Sequence, residues 1–243
     1  MNIALIGYGK MGKAIEKLAK EKGHSISAII SGSQTDWSPS DLAGTDVAIE
    51  FTQPDAAVNN IEKCIEANVP VVVGTTGWYD QFDSIVKQVE SQGSALFTAT
   101  NFSVGVNIMF YINKKLAEIM NQFPEYAVEM EEIHHIHKKD YPSGTASTLA
   151  EGIVESLDRK NNYIGQLEGQ EQDINAFDLR ILCKREDEVP GFHEVTYESE
   201  IDNIKISHAA KSRAGFALGS ILAAEWLQGK KGVFGMKDLL KFD

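Results

Sequence analysis

The sequence predicts an α/β protein. It reads as a Rossmann-type, doubly wound parallel sheet joined to a second α+β domain built on a mixed sheet. Three observations carry this. The first hundred residues alternate strand-like and helix-like segments, the middle holds strand-like runs with few helices, and the tail returns to helix. Alternation at this spacing implies a parallel sheet with helices on both faces, whereas strands in a run imply antiparallel or mixed pairing.

In chain order, residues 2–6 form a short apolar run that ends in glycine. Residues 11–21 place apolar side chains at positions 11, 14, 15, 18 and 19, the period of a helix. Residues 26–30, 47–51, 71–73 and 95–98 are short, apolar or β-branched, and read as the remaining strands of the first sheet. Residues 55–67 and 79–91 read as the helices between them. A helix over 104–120 leads into the second region, where 126–133, 177–183, 193–199 and 204–208 are strand-like and a helix starts near Ser143. Residues 161–175 are polar, contain glycine, and read as a loop. The helical tail, 214–227, is expected to pack back on the first domain. The expected domains are therefore 1–105 plus 214–243 for dinucleotide binding, and 106–213 for substrate binding and oligomerisation.

The chain has 243 residues, 43% of them hydrophobic and 24% charged, which is enough apolar content to form a core without metals or disulfides. Cys64 and Cys183 lie far apart and suit a reducing, cytoplasmic setting. A formal net charge of −12 weighs against nonspecific nucleic-acid binding, and no apolar run approaches the roughly 20 residues of a membrane span. Met1 runs straight into an apolar strand, without the basic start of a secretory signal.

Gly7-Tyr8-Gly9-Lys10-Met11-Gly12 follows the first strand and carries the glycine triplet of the G-x-G-x-x-G fingerprint. Gly7 permits a tight turn, Gly9 lets the backbone approach a pyrophosphate, and Gly12 lets the helix sit close to the strand. The helix N-terminus attracts phosphate. A plain tight turn is the other reading of the triplet, and its place after the first strand favours a dinucleotide. Gly74-Thr75-Thr76-Gly77 follows the fourth strand and Ala99-Thr100-Asn101-Phe102 the fifth, so all three turns fall on the edge where open parallel sheets bind ligands. The acidic residue expected about 20 residues past the glycines is missing. Ser31 and Gly32 stand at the end of the second strand, and Asp36 lies further along.

Residues 131–146 hold His134, His135 and His137, with Lys138 and Lys139, beside a Ser143-Gly144-Thr145 turn that opens a helix. Ser143 suits an N-cap, and the helix start offers N–H groups to a carboxylate. On the residues alone the segment suits either an anion-binding, proton-donating site or a solvated loop. A metal site is a third reading. Neighbouring side chains of an extended segment point to opposite faces, and a helical H-x-x-x-H pair is absent, so no metal is assigned.

The segment Glu132-x-His134-His135-x-x-Lys138-x-Asp140-x-Pro142-Ser143-Gly144-Thr145-Ala146 resembles the signature E-x-H-H-x-x-K-x-D-x-P-S-G-T-A of the dihydrodipicolinate reductase family. Gly74–Gly77, the run from Asn101 to Asn107, and Ser207–Arg213 also resemble that family, so the similarity runs essentially end to end. The resemblance implies reduction of 4-hydroxy-tetrahydrodipicolinate by NADH or NADPH, on the diaminopimelate route to lysine. It implies a cyclic dicarboxylate substrate and a homotetramer joined through the sheets of the second domain.

In residues, it implies His134 as the acid–base group and Lys138 as its helper. It places His135, Ser143, Gly144, Thr145 and Arg213 on substrate. It places Gly7, Tyr8, Gly9, Lys10, Met11, Gly12, Ser31, Gly74, Thr75, Thr76, Ala99, Thr100, Asn101 and Phe102 on the coenzyme. A crevice between the domains, closing over the substrate, would fit these roles.

The chain departs from the family in three places. The glycine loop is one residue shorter than the usual G-x-x-G-x-M-G, the acid after the second strand is absent, and the 185–193 stretch lacks a longer arm. Rival readings are another two-domain dehydrogenase, acting on an amino acid or sugar, and a noncatalytic dinucleotide sensor. The first leaves the His-His segment unexplained, and the second needs no proton donor.

Overall fold

The structure is a computed structural model that describes residues 1–31, 34 and 36–242. Gly32, paired with Ser31 in the coenzyme argument, lies outside the described residues. The chain divides into two compact units, Met1–Val104 with Arg213–Asp243, and Gly105–Ser212.

The first unit is a parallel sheet. Its strands are β1 (Asn2–Ile6), β2 (Ser25–Ile30), β3 (Val47–Glu50), β4 (Val71–Val73), β5 (Ala95–Thr98) and β11 (Gly232–Phe234), in the order β11-β5-β4-β3-β1-β2. Its helices are α1 (Lys10–Glu21), α2 (Pro54–Glu66), α3 (Phe82–Gln92), α6 (Ala214–Leu227) and the short α7 (Met236–Leu240). Strands β1, β3 and β4 are buried on both faces, so they read as continuous apolar runs and not as alternating ones.

One face packs Ala57, Ile61 and Ile65 of α2 and Ile85 and Val89 of α3 against the sheet, while the other packs Ile15 and Ala19 of α1 and Ile221 and Leu227 of α6. Helix α6 comes close enough to the loop after β5 that a Cβ at Gly219 would stand 1.7 Å from the Phe102 carbonyl oxygen. The strand order reverses between β1 and β3. A ligand crevice is expected at that switch point.

The second unit is a mixed sheet of β6 (Ala127–His134), β7 (Asn162–Leu167), β8 (Asp178–Arg185), β9 (Phe192–Glu198) and β10 (Asn203–Ala209), ordered β10-β9-β6-β8-β7. Helices α4 (Val104–Met120) and α5 (Gly144–Val154) supply Met109, Ala117, Leu149 and Ile153 to a core against Met130, Ile181 and Tyr197. Alternation along β6 puts Val128, Met130, Glu132 and His134 on that covered face. The opposite face carries ion pairs such as Lys184–Glu131 at 2.7 Å and Lys205–Glu194 at 2.8 Å.

Residues 161–175 are not wholly loop. Their first part forms β7, a parallel edge strand on β8. Its side chains are mostly half-buried, because an edge strand has one neighbour and tolerates polar residues, so the hydrophobic pattern was faint. Gly165 within it packs under Pro142, where a Cβ would come within 2.6 Å of the proline ring. Strand β11 and helix α7 are too short to leave a period in sequence, and Tyr79–Gln81 is a separate 3-10 turn before α3. Among the described residues no helix is long and apolar enough to cross a membrane.

Candidate active site

In the first unit the glycine turn is fixed by steric need. Gly7 adopts φ +93°, and a Cβ there would stand 2.0 Å from the Phe51 carbonyl oxygen. A Cβ at Gly12 would lie 2.3 Å from the Gly7 carbonyl oxygen, so α1 can follow the turn this closely only with glycine. Gly9 has open space where its side chain would be, and it caps α1 without any side-chain acceptor over the helix N-terminus.

A cleft of about 540 Å³ is lined by Gly9, Lys10, Met11, Gly74, Thr75, Thr76 and Arg213, together with Phe51, Thr52 and Pro54. An uncapped helix start, a bare backbone and an open groove suit a pyrophosphate, so these residues fit a dinucleotide. Thr75 braces the groove: its hydroxyl accepts from the Thr52 N–H at 2.7 Å, and its carbonyl accepts from Trp78 Nε1 at 2.8 Å.

The other coenzyme candidates divide. The Tyr8 hydroxyl is bonded to Glu16 on α1. Ala99 and Thr100 line a second cleft of about 380 Å³ beside Tyr79. The Asn101 side chain accepts from the Ser103 N–H at 2.8 Å, which shapes the turn into α4. The Phe102 ring is buried between Phe51 and Phe97, so only its backbone is offered to a ligand. Ser31 is exposed just after β2. Arg213, read from sequence as a substrate contact, belongs to the first unit and lines the same cleft as the glycine turn.

In the second unit the signature segment folds into one cluster at the end of β6. His134 is the last residue of that strand, and Glu132, two residues before it, shares its face. His193 on β9 stands directly across from Glu132 in the antiparallel register. The chain then turns through His135 and Lys138 and returns at Ser143, the N-cap of α5, whose hydroxyl accepts from the Ala146 N–H at 3.2 Å. Arg185 at the end of β8 clamps this turn, donating to the Lys138 carbonyl at 3.0 Å and the Asp140 carbonyl at 2.9 Å. Lys138 Nζ pairs with Asp140 at 2.6 Å. Gly144 opens α5 with clear space above it. The Ser143 hydroxyl is buried and turned toward His193 Nε2 at 3.1 Å, so a carboxylate arriving at the turn meets its Gly144 side.

Glu132 is fully buried at the centre. Its Oε2 accepts from the Ser143 N–H at 3.0 Å and lies 3.5 Å from His134 Nδ1 and 3.9 Å from His193 Nε2. Its Oε1 faces Arg185 at 3.7 Å. Burial opposes ionisation of Glu132, but the Ser143 hydrogen bond and the nearby His134 outweigh it and hold the carboxyl below its ordinary range. Burial pushes His134 down, partly offset by Glu132 and reinforced by Lys138 and Arg185. Burial, with His134 beside it, takes His193 to about 4, so it stands as a neutral imidazole near neutral pH.

Glu132, His134 and His193 offer donor atoms within 4.8 Å of one another. The Ser143 N–H bonds one oxygen of that carboxylate, and the Arg185 guanidinium lies 3.7 Å from the other, a positive charge that disfavours a cation beside it. Sequence reasoning gave Glu132 no role beyond its place in the signature and gave Arg185 and His193 none. The i, i+2 spacing of Glu132 and His134 on a strand could have shown the first. The other two come from strands distant in sequence.

Two family models match the chain, dihydrodipicolinate reductase, N-terminus, over residues 1–102, and dihydrodipicolinate reductase, C-terminus, over residues 105–240. The 4-hydroxy-tetrahydrodipicolinate reductase of Christiangramia forsetii is 46% identical over 240 residues, covering 99% of this chain and 98% of that protein. Its counterpart from Neisseria meningitidis serogroup C is 33% identical, covering 93% of this chain and 83% of its own length. Among solved structures, a dipicolinate-bound dihydrodipicolinate reductase from Paenisporosarcina sp. TG-14 aligns over 98% of both chains with TM-score 0.75 and 19% identity, a likeness of fold. With both halves matched and a close relative spanning nearly its whole length, the chain belongs to the dihydrodipicolinate reductase family.

Proposed function

We propose that this protein converts 4-hydroxy-tetrahydrodipicolinate, NAD(P)H and a proton into tetrahydrodipicolinate, NAD(P)⁺ and water, on the diaminopimelate route to lysine. The bound nicotinamide supplies the hydride, which is the cofactor's own chemistry. The protein supplies binding, orientation and the proton. The observation that carries this reading is the single cluster at the end of β6, where a buried histidine, a lysine and the N-terminus of α5 converge.

That geometry supports the following site roles. His134 delivers the proton to the substrate, and Lys138, released from Asp140 toward an incoming dicarboxylate, supports it. One substrate carboxylate rests at the start of α5, on the Gly144 and Thr145 backbone, with His135 alongside. Ser143 shapes this cradle from within by capping the helix. In the first unit the Gly7–Gly12 turn, Ser31, the Gly74–Thr76 turn and the Ala99–Phe102 turn hold the dinucleotide, and Lys10 is its exposed cation. Arg213 lies beside them and can meet either coenzyme or substrate charge. The working form is a cytoplasmic homotetramer joined through the second-unit sheets, whose outer face is left uncovered by α4 and α5.

The test is a coupled assay in which a synthase makes fresh substrate and absorbance of the reduced nicotinamide is followed. Substrate-dependent oxidation of NADH or NADPH is expected, with pyridine-2,6-dicarboxylate competing against substrate. No oxidation with either coenzyme overturns the reading, and activity without competition overturns the cradle. Light scattering on the eluting protein reads the oligomer, and any mass other than four chains removes the tetramer.

A further inference from the structure

We propose that Glu132 is a positioning residue that orients the His134 imidazole and the N-terminus of α5 as one unit, so that His134 presents Nε2 to the substrate. This rests on the acid role given to His134 above. The geometry behind it is a shared atom. Glu132 Oε2 takes the Ser143 N–H at 3.0 Å and lies 3.5 Å from His134 Nδ1, an ion-pair contact and not a hydrogen bond, so one oxygen stands beside both the proton donor's ring and the carboxylate cradle. The other oxygen faces Arg185 at 3.7 Å, and Arg185 also clamps the Lys138–Asp140 turn. The carboxylate is fully buried, and nothing but protein groups can satisfy it.

A carboxylate facing Nδ1 favours the tautomer with a proton there, and then stabilises the imidazolium when the ring gains a second proton at Nε2. The Nε2 side faces Gly191, where a Cβ would come to 3.2 Å. Gly191 adopts φ +153°, so its lack of a side chain leaves space in front of that nitrogen. His193 cannot replace Glu132 in this role. It sits edge-on to His134 with ring centroids 5.2 Å apart, and its Nε2 is directed at the Ser143 hydroxyl.

The charged and titratable groups facing this pair are known from every element around it. They are Arg185 and Cys183 from β8, His193 from β9, and His135 and Lys138 from the turn, with the Ser143 N–H just before α5 as a neutral donor. The Glu132 charge raises the basicity of His134, while Lys138, Arg185 and His135 lower it. Removing the Glu132 charge must therefore make His134 a stronger acid.

The experiment compares wild type with Glu132→Gln, which keeps an acceptor for the Ser143 N–H but loses the charge. Turnover is expected to fall at least tenfold. Its alkaline limb should move to lower pH, because the protonated His134 has lost its partner. Affinity for pyridine-2,6-dicarboxylate, read by calorimetry, should stay within about threefold, about 0.7 kcal/mol, within the net scale of one rearranged hydrogen bond. Wild-type turnover with an unmoved pH profile overturns the proposal.

A second measurement needs neither substrate nor a stable variant. The ¹⁵N shifts of the His134 ring in the wild-type protein are expected to show Nδ1 protonated in the neutral imidazole. A predominant Nε2–H tautomer overturns the proposal, even if Glu132→Gln does not fold. If wild type fails to oxidise NAD(P)H, the function is at fault, while the tautomer still decides the role of Glu132.

Discussion

Two buried glutamates mark the two units, and they are set up in opposite ways. Glu50 ends β3 in the first unit and Glu132 lies near the end of β6 in the second, and both are fully buried. Glu50 is met by neutral groups, the Thr52 hydroxyl and the Asn60 amide at 3.3 Å, and its Oε2 has no hydrogen-bond partner. Burial therefore raises its pKa, and the hydrogen bonds from Thr52, Thr75 and Asn60 only soften the rise. Glu132 also has one oxygen, Oε1, without a hydrogen-bond partner, but a backbone N–H, two imidazoles and a guanidinium surround it, and it is held toward ionisation.

The difference suits the role proposed for each unit. Beneath a cleft suited to a pyrophosphate, an anion would repel the ligand, and a carboxyl biased toward its neutral form does not. Beside a proton donor an anion is useful, because it steadies the charge that the donor must carry. The first site is built on glycine turns that bare their backbone between side chains such as Lys10 and Arg213, whereas the second is made of side chains around a charge.

The largest expected effect tests the second half of that contrast. Lys138→Ala should lower turnover by on the order of 10²–10⁴-fold, the scale of an acid–base group, and leave the dissociation constant for NADPH unchanged. Initial rates beside a fluorescence titration of the coenzyme separate the two. Near-normal turnover in a folded variant would remove the lysine from the chemistry.

The bare-backbone half is tested by adding one methyl group. Gly7→Ala forces a side chain onto φ +93° and into the Phe51 carbonyl, 2.0 Å away. The strained backbone alone costs roughly 1–3 kcal/mol. Thermal melting should drop, and coenzyme affinity should weaken at least tenfold, since the turn cannot keep its shape. A Gly7→Ala protein that melts and binds like wild type would show that the cleft does not depend on this turn.

This contrast was only half legible in the sequence. The first sheet was plain, since β1, β4 and β5 are short apolar runs with buried faces, and the α6 pattern stood out as apolar throughout. The glycine turn was legible because its meaning is steric and local. The second unit's site was legible only where it is contiguous, from His134 to Thr145. Glu132 looked like one acid among several, and its burial depends on which face of β6 is covered, which α4 and α5 decide. His193 and Arg185 reach it through strand pairings with β9 and β8, and pairing register is not written in either strand alone. Strand β7 was missed because an edge strand can be polar.

The opposite settings of the glutamates give opposite slopes of stability against pH. Glu132 is lowered in the folded state, so its contribution is present above its unfolded pKa and is lost as pH falls through the lower folded value. Glu50 is raised, so the folded state holds a proton that the unfolded chain has released. Stability is then lost as pH rises from the unfolded value through the folded one. Glu50→Gln keeps an acceptor for Thr52 and Asn60 and removes the ionisation. It should be more stable than wild type at pH 8 and about equal at low pH, as read by urea unfolding at the two values. A variant less stable at pH 8 would mean that Glu50 is charged there and paired by something other than burial would suggest.

The smallest expected effect concerns which coenzyme the bare-backbone site prefers. NAD selectivity commonly rests on an acid that accepts from the ribose 2′-OH and repels a 2′-phosphate. No acid stands directly after β2, where Ser31 is found, so neither grip nor repulsion is strong. Lys10 is exposed at the start of α1 and lines the cleft, where it can meet a 2′-phosphate as a point charge. Being solvated, it should contribute little, on the order of a two- to fivefold change in kcat/KM, as exposed charge pairs do. Wild type is therefore expected to use NADPH at least as well as NADH, and Lys10→Ala to lose that margin with NADPH alone. The loss should shrink as salt rises, because an exposed charge is screened. A clear NADH preference in wild type would mean that selectivity is set by groups other than Ser31 and Lys10. Equal losses with both coenzymes would place Lys10 on the pyrophosphate, which NADH and NADPH share.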